Sequence, residues 1–296
     1  MPTAGIIAAL WTPTDAQGRV IETGLAANLA FLRQRGVHGL MVLGSTGEFA
    51  RLSLEARLDF LAAVQRHCGD WPAMANVSDI RPDAVTALGR RAAELGYSSI
   101  SLLPPWYYPL AQVDLAEFFV REAERIALPL FLYNFPERTG HRISLETIAT
   151  VADRVPLAGI KQSGAEFSYH RELLALGRPR RFVVLTGADS RLAEAMALGV
   201  TGAVSGLANA VPELMTAVYD AVRAGDTARV NEATGRLVEL TRRLDAVEFP
   251  LCVAAAMAAR DLCVGEPKCV VSAATRQRYD QLVTELRQLF HEWSLR

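Results

Sequence analysis

The chain has 296 residues, 51% of them hydrophobic and 21% charged, with a formal net charge of −1, so it is long enough to bury a large core. That charge balance gives no electrostatic argument for nucleic acid or an anionic membrane as partner, which leaves a small neutral or anionic metabolite as the expected one. No apolar run reaches the length of a membrane span, and the N-terminal MPTAGIIAALWTPTD lacks the basic start of a secretory leader, so the cytoplasm is the expected compartment.

The first apolar run, GIIAAL at 5–10, precedes a helical pattern that Gly36 ends. GLMVLG at 39–44 closes in GSTGE, and Ser53 then opens LEARLDFLAAVQRH, which Gly69 stops. PAMANVS at 72–78 leads to Arg81-Pro82 before DAVTALGRRAAEL, with Gly96 as its stop. SSISLLP at 98–104 and PLFLYNF at 129–135 follow, the second giving way to Ser144 and LETIATVAD. LAGIKQS at 157–163, RFVVLTG at 181–187 and GAVSG at 202–206 complete the series, with Gly177 and Gly199 as stops between them and Pro212 opening ELMTAVYDAVRAG.

Eight strand-and-helix units in succession predict a closed parallel (β/α)8 barrel, the TIM barrel, over residues 1–225. An open doubly wound sheet is the alternative. Residues 226–296 show only helical patterns, in ARVNEATGRLVELTRRLDAV, FPLCVAAAMAARDLC and TRQRYDQLVTELRQLFHEW. They predict a C-terminal extension of about three helices packed on the barrel. Cys68, Cys252, Cys263 and Cys269 form no C-x-x-C, and the five histidines form no ligand pair, so metal catalysis is not expected.

In such a barrel the reacting groups stand at the C-terminal strand ends. Those positions hold Thr12, Ser45, Thr46, Glu48, Asn76, Ser78, Pro104 to Tyr108, Tyr133, Lys161, Gly187 and Ser205. Lys161 ends the apolar LAGI run, and a desolvated amine loses its proton more easily and attacks carbonyls. A lysine reaching out to solvent or to a carboxylate is the competing reading. Tyr133, on the neighbouring strand, is placed to serve as general acid and base for the adduct, or else is a core tyrosine with one partner. Ser45, Thr46 and the amides of GSTGE suit a carboxylate, while the Ser45 to Glu48 spacing is also that of a capping box. Arg138, in YNFPERTG, suits a second carboxylate at the barrel mouth.

Taken together, GSTGE at 44–48, YNFPERTG at 133–140, GIK at 159–161, GADS at 187–190 and GAVSG at 202–206 resemble the pyruvate-dependent class I aldolases. This family groups dihydrodipicolinate synthase with N-acetylneuraminate lyase, and the similarity runs through the barrel in order and into the helical tail. It implies a Schiff base between Lys161 and pyruvate or another 2-keto acid, with no metal or organic cofactor, and an aldehyde as the second substrate. It implies acid and base roles for Tyr133, and Ser45 and Thr46 as the hydroxyl pair for the keto-acid carboxylate. Tyr107 matches the tyrosine that reaches into a neighbouring subunit's site, which implies a homodimer or homotetramer. Gly187, Val204 and Ser205 fall in the matched stretches that bind substrate, and Arg138 matches the arginine that holds the carboxylate of aspartate semialdehyde.

That arginine favours 4-hydroxy-tetrahydrodipicolinate synthesis. Against it, serine stands at 45 in place of the usual threonine, the stretch PPWYYPL at 104–110 resembles the lyase and sugar-acid aldolase versions, and Phe135 and Glu137 beside Arg138 resemble relatives acting on 2-keto-3-deoxy sugar acids, as aldolases or dehydratases. Two further classes are a catalytically silent keto-acid sensor and a phosphate-binding isomerase, the latter poorly served by the short GADS and SGLAN loops.

Overall fold

A computed structural model of the chain describes residues 4–295. The eight strands are β1 Gly5–Ala9, β2 Gly39–Val42, β3 Ala73–Asn76, β4 Ser99–Leu102, β5 Leu130–Asn134, β6 Leu157–Gln162, β7 Val183–Thr186 and β8 Gly202–Ser205. All pair in parallel and in chain order, and β8 returns to β1 with Ile7 opposite Val204 and Ala8 opposite Ser205, so the barrel is closed. Closure needs a glycine at 202, because a Cβ there would sit 2.1 Å from the Gly5 carbonyl oxygen.

The outer ring consists of α1 Glu22–Gln34, α2 Leu54–Cys68, α3 Pro82–Glu94, α4 Gln112–Ile126, the single turn α5 Pro136–Thr139, α6 Leu145–Arg154, α7 Tyr169–Arg180, α8 Leu192–Leu198 and α9 Pro212–Ala224. The predicted starts appear as caps: Ser53 Oγ accepts from Ala56 N and Ser144 Oγ from Thr147 N, both at 3.1 Å. Pro82 and Pro212 stand in the first turns of α3 and α9, where a missing N–H costs nothing. Beyond the ring, α10 Thr227–Leu244 packs along α9, and α11 Leu251–Ala258 lies against α12 Ala273–Glu292.

Two local expectations are corrected. Gly177 does not stop its helix: α7 continues to Arg180, and Gly177 is buried in it because a side chain would press on the Phe182 carbonyl at 2.8 Å. The predicted strands also overrun by one or two residues at their mouth ends. In GLMVLG the cause is visible: Leu43 turns to φ 61°, leaves the ladder and offers its carbonyl to Asn76 Nδ2 at 2.7 Å. The residues that end the strands early are those that build the mouth.

Candidate active site

A cavity of about 910 Å³ opens at the C-terminal end of the barrel. Strands β5 and β6 set its floor, since their register places Tyr133 directly opposite Lys161. The glycine two residues before Lys161 in β6 is part of this arrangement: at Gly159 a Cβ would lie 2.4 Å from the Phe131 ring, so β6 can approach β5 this closely only with glycine there.

Lys161 is 6% exposed and forms no ion pair among the described residues, which disposes of the solvent-reaching alternative. Its Nζ lies 4.0 Å from the centroid of the Tyr133 ring. Tyr133 is buried, and its hydroxyl is 3.3 Å from Ser45 Oγ, so the phenol and serine hydroxyls adjoin while the amine lies over the phenol ring. Phe135 stacks on Tyr133 with ring centroids 6.0 Å apart and continues that wall outward.

The other side of the floor comes from β7 and β8. Gly187 N donates to the Gln162 carbonyl at 2.8 Å, which brings its backbone against the lysine stem. A Cβ on Gly187 would stand 3.1 Å from Lys161 Cε and 2.1 Å from Ser163 Oγ, so the lysine's path into the cavity depends on this glycine. Val204 and Gly206 line the cavity, and Gly206 faces Thr46, whose Oγ1 would be 3.1 Å from a Cβ there.

The GSTGE loop is not a capping box. Its Ser45 hydroxyl points to Tyr133, and the Glu48 carboxylate turns away to Arg51 and Lys268. A short 3-10 turn, Phe49–Arg51, separates the loop from α2. The capping requirement of α2 is met by Ser53 instead, and Ser45 is left free to face the cavity.

Two of the predicted site residues do not line this cavity. Ser205 is fully buried and its hydroxyl accepts from Ala208 N at 2.9 Å, so it supports the turn after β8 and is not a wall of the cavity. Tyr107 is 82% exposed at φ 84°, edge-on to the exposed Tyr108 with centroids 4.8 Å apart, and lies outside the cavity of its own chain.

The outer cavity contains groups with little sequence signal. Arg138 stands between two aromatic rings, 5.8 Å from the Phe135 centroid and 5.5 Å from that of Phe249. Phe249 belongs to the connector between α10 and α11, which also supplies Asp245, Val247 and Glu248 to the rim. Cys252 lines the same wall, where burial pushes its thiol up to about 11 and so keeps it from competing as a nucleophile.

Asp189, the acid of GADS, also faces the cavity. Its Oδ2 accepts from Leu207 N at 2.9 Å, while Oδ1 is buried with no hydrogen-bond partner among the described residues. Burial raises its carboxyl from 3.8 to about 6, against the opposing pull of the Leu207 amide, the Ser205 hydroxyl and the Lys161 charge. Among the described residues no group of three or more metal-ligating side chains occurs, and no helix is long and apolar enough to cross a membrane.

The Dihydrodipicolinate synthetase family matches this chain over residues 2–289. A 4-hydroxy-tetrahydrodipicolinate synthase of Methanopyrus kandleri is 31% identical over 288 residues, covering 96% of each chain. An uncharacterized DapA-like lyase of Thermofilum pendens is 32% identical over 84% of each. Among solved structures, YagE, a prophage protein of the dihydrodipicolinic acid synthase family from E. coli K12 in complex with pyruvate, superposes with a TM-score of 0.90 at 28% identity. The match covers 98% of this chain and 99% of that one.

Proposed function

The chain belongs to the dihydrodipicolinate synthetase family, whose members are class I pyruvate-dependent lyases, and we propose that it joins pyruvate to an aldehyde, or parts them, through a Schiff base on Lys161. The carrying observation is the buried, unpaired Lys161 lying over Tyr133, whose hydroxyl reaches Ser45. In the forward step Lys161 Nζ adds to the keto carbon, and loss of water leaves an iminium that draws electrons from the adjacent methyl group. A proton then leaves that methyl, and the carbanion equivalent attacks the aldehyde carbon.

Tyr133 is the acid and base of these steps, delivering a proton to the departing water and to the new alkoxide, with Ser45 as its relay. Ser45, Thr46 and the amides of their loop hold the keto-acid carboxylate. Gly187 and Val204 shape the floor on which the adduct lies. The chemistry requires no metal or organic cofactor.

For the aldehyde, the leading reading is aspartate semialdehyde, with Arg138 gripping its carboxylate, which makes the product 4-hydroxy-tetrahydrodipicolinate. The observation in favour is that Arg138 and Lys161 are the two cations lining the cavity among the described residues. The second reading is a 2-keto-3-deoxy sugar acid, and it draws on Asp189, Asp245 and Glu248, acceptors suited to hydroxyl groups at the outer end. Tyr107 completes the proton relay only in a second subunit's site, so this reading also carries a homodimer or homotetramer.

Incubation with pyruvate and borohydride followed by mass measurement of the peptide containing Lys161 is the direct test. A reduced pyruvate adduct on Lys161 is expected, and its absence refutes the proposal. Turnover of pyruvate with aspartate semialdehyde, set against a panel of sugar-derived aldehydes, then decides between the two readings.

A further inference from the structure

Between α11 and α12 the chain crosses the mouth end of β1 as a strap. Asn28 donates to the Cys263 carbonyl at 2.8 Å and accepts from Cys263 N at 3.1 Å. Trp11 Nε1 donates to the Val264 carbonyl at 2.8 Å, and Glu266 N donates to that of Thr14 at 2.7 Å. Gly265 takes φ 70° there, and its contact with Thr14 is close enough that a Cβ would lie 2.3 Å from the carbonyl oxygen. Next to α11 the strap is anchored by the ion pairs of Arg260 with Glu213 and of Asp261 with Arg287, whereas over residues 263–266 it is held by neutral hydrogen bonds.

Beyond this neutral stretch the strap sends Lys268 inward. The Lys268 side chain is 4% exposed, with Nζ 3.3 Å from Glu48 Oε1 and 4.8 Å from the Trp11 ring centroid. The Glu48 side chain is 2% exposed, and its other oxygen takes Arg51. Burying two such charges costs several kcal/mol per ion before their attraction offsets it, and the strap is already anchored at residues 260–266 without the pair.

What the pair does hold is the last residue of the loop that presents Ser45 and Thr46. Glu48 sits in the left-handed region, φ 58° and ψ 35°, which a residue with a Cβ adopts only where its surroundings impose it. Its amide donates to the Ser45 carbonyl at 3.1 Å, so the placement of Glu48 and the placement of Ser45 are one geometry. Gly47 between them is pressed on Thr12, whose Oγ1 would stand 2.7 Å from a Cβ.

We infer that Lys268, through its buried ion pair with Glu48, is a positioning residue that sets the Ser45 and Thr46 hydroxyls for the keto-acid carboxylate. The inference rests on the Schiff-base reading of the site. It gives the C-terminal extension a part in keto-acid binding, in addition to its part in the outer wall.

The test measures the pyruvate concentration that half-saturates borohydride trapping on Lys161, alongside the thermal midpoint of the full chain. In K268M, and in the double variant E48Q/K268M that buries no unpaired charge, half-saturation is expected at about tenfold more pyruvate, equivalent to about 1.4 kcal/mol. The double variant carries the test if K268M does not fold. A fall in the midpoint with half-saturation unchanged from wild type in the double variant overturns the positioning role and leaves the Schiff-base reading standing. A wild-type protein that traps no pyruvate on Lys161 overturns both.

Discussion

Replacing Asp189 by asparagine is expected to change the pH dependence of stability in a way fixed by its surroundings. Asparagine keeps a carbonyl oxygen for the Leu207 amide, so the turn after β8 retains its hydrogen bond while the ionisable group is lost. The wild-type carboxyl titrates near 3.8 when unfolded and at about 6 when folded, so the native state holds its proton more tightly than the unfolded chain. Between those two values the unfolded state binds fewer protons, and wild-type stability falls as pH rises. The cost is absent below about pH 4 and complete above about pH 6. A shift of about two units at 1.36 kcal/mol per unit gives roughly 3 kcal/mol as an upper bound.

With an unfolding entropy of about 2.1 cal/mol/K per residue, that bound corresponds to about 5 °C in the thermal midpoint. The midpoint of D189N minus that of wild type, followed from pH 4 to pH 8, is therefore expected to rise by up to that amount and level off near pH 7. A difference that stays flat over this range would show that the Asp189 carboxyl is not held out of water, and the reasoning fails.

Other substitutions probe separate parts of the same site. Y133F removes the hydroxyl 3.3 Å from Ser45 and is expected to lower turnover by about 10²- to 10⁴-fold with its thermal midpoint little changed; turnover within twofold of wild type would remove Tyr133 from the proton path. G187A places a methyl against Ser163 and the Lys161 stem, so borohydride trapping of pyruvate should drop at least tenfold while the circular dichroism of the barrel persists. R138A is expected to raise the KM for an aldehyde bearing a carboxylate by about tenfold or more and leave half-saturating pyruvate unchanged. Equal KM values for wild type and R138A would take the carboxylate role from that residue.

The barrel was legible because its parts are short-range. Ser53, Ser144, Pro82 and Pro212 mark helix starts by local hydrogen bonding or fixed backbone geometry, and the strands between them are short, buried and mostly apolar. Lys161 and Tyr133 were legible for a related reason: once the strands are counted, adjacent strands put adjacent ends together, and the register confirms the pairing. Gly177 misled because a glycine that makes room for Phe182 has the same letter as one that ends a helix. Glu48 misled because the S-x-x-E spacing is local, while its partner Lys268 lies 220 residues away on a strap with no pattern of its own. The similarity to the aldolase family supplied roles for Lys161, Tyr133, Ser45, Thr46, Tyr107 and Arg138 that spacing alone left open.

The two ends of the cavity differ in the same respect. The keto-acid end is built from strand termini and the turns directly after them: Tyr133, Lys161, Gly187, Val204 and the GSTGE loop, each fixed by a neighbouring ladder. The aldehyde end is built from α5 and from the connector of α10 and α11, which the barrel's own hydrogen bonds do not position. Among the described residues the one cation there, Arg138, shares the wall with Asp245 and Glu248 of the connector, so a distal carboxylate meets attraction at one point of the wall and repulsion at others. A neutral chain of hydroxyls meets acceptors on the acidic side and loses nothing at the arginine. On the proposed Schiff-base reading, the reaction is set by the strands, and the choice of aldehyde by where in this outer wall the substrate's charge comes to lie relative to Arg138.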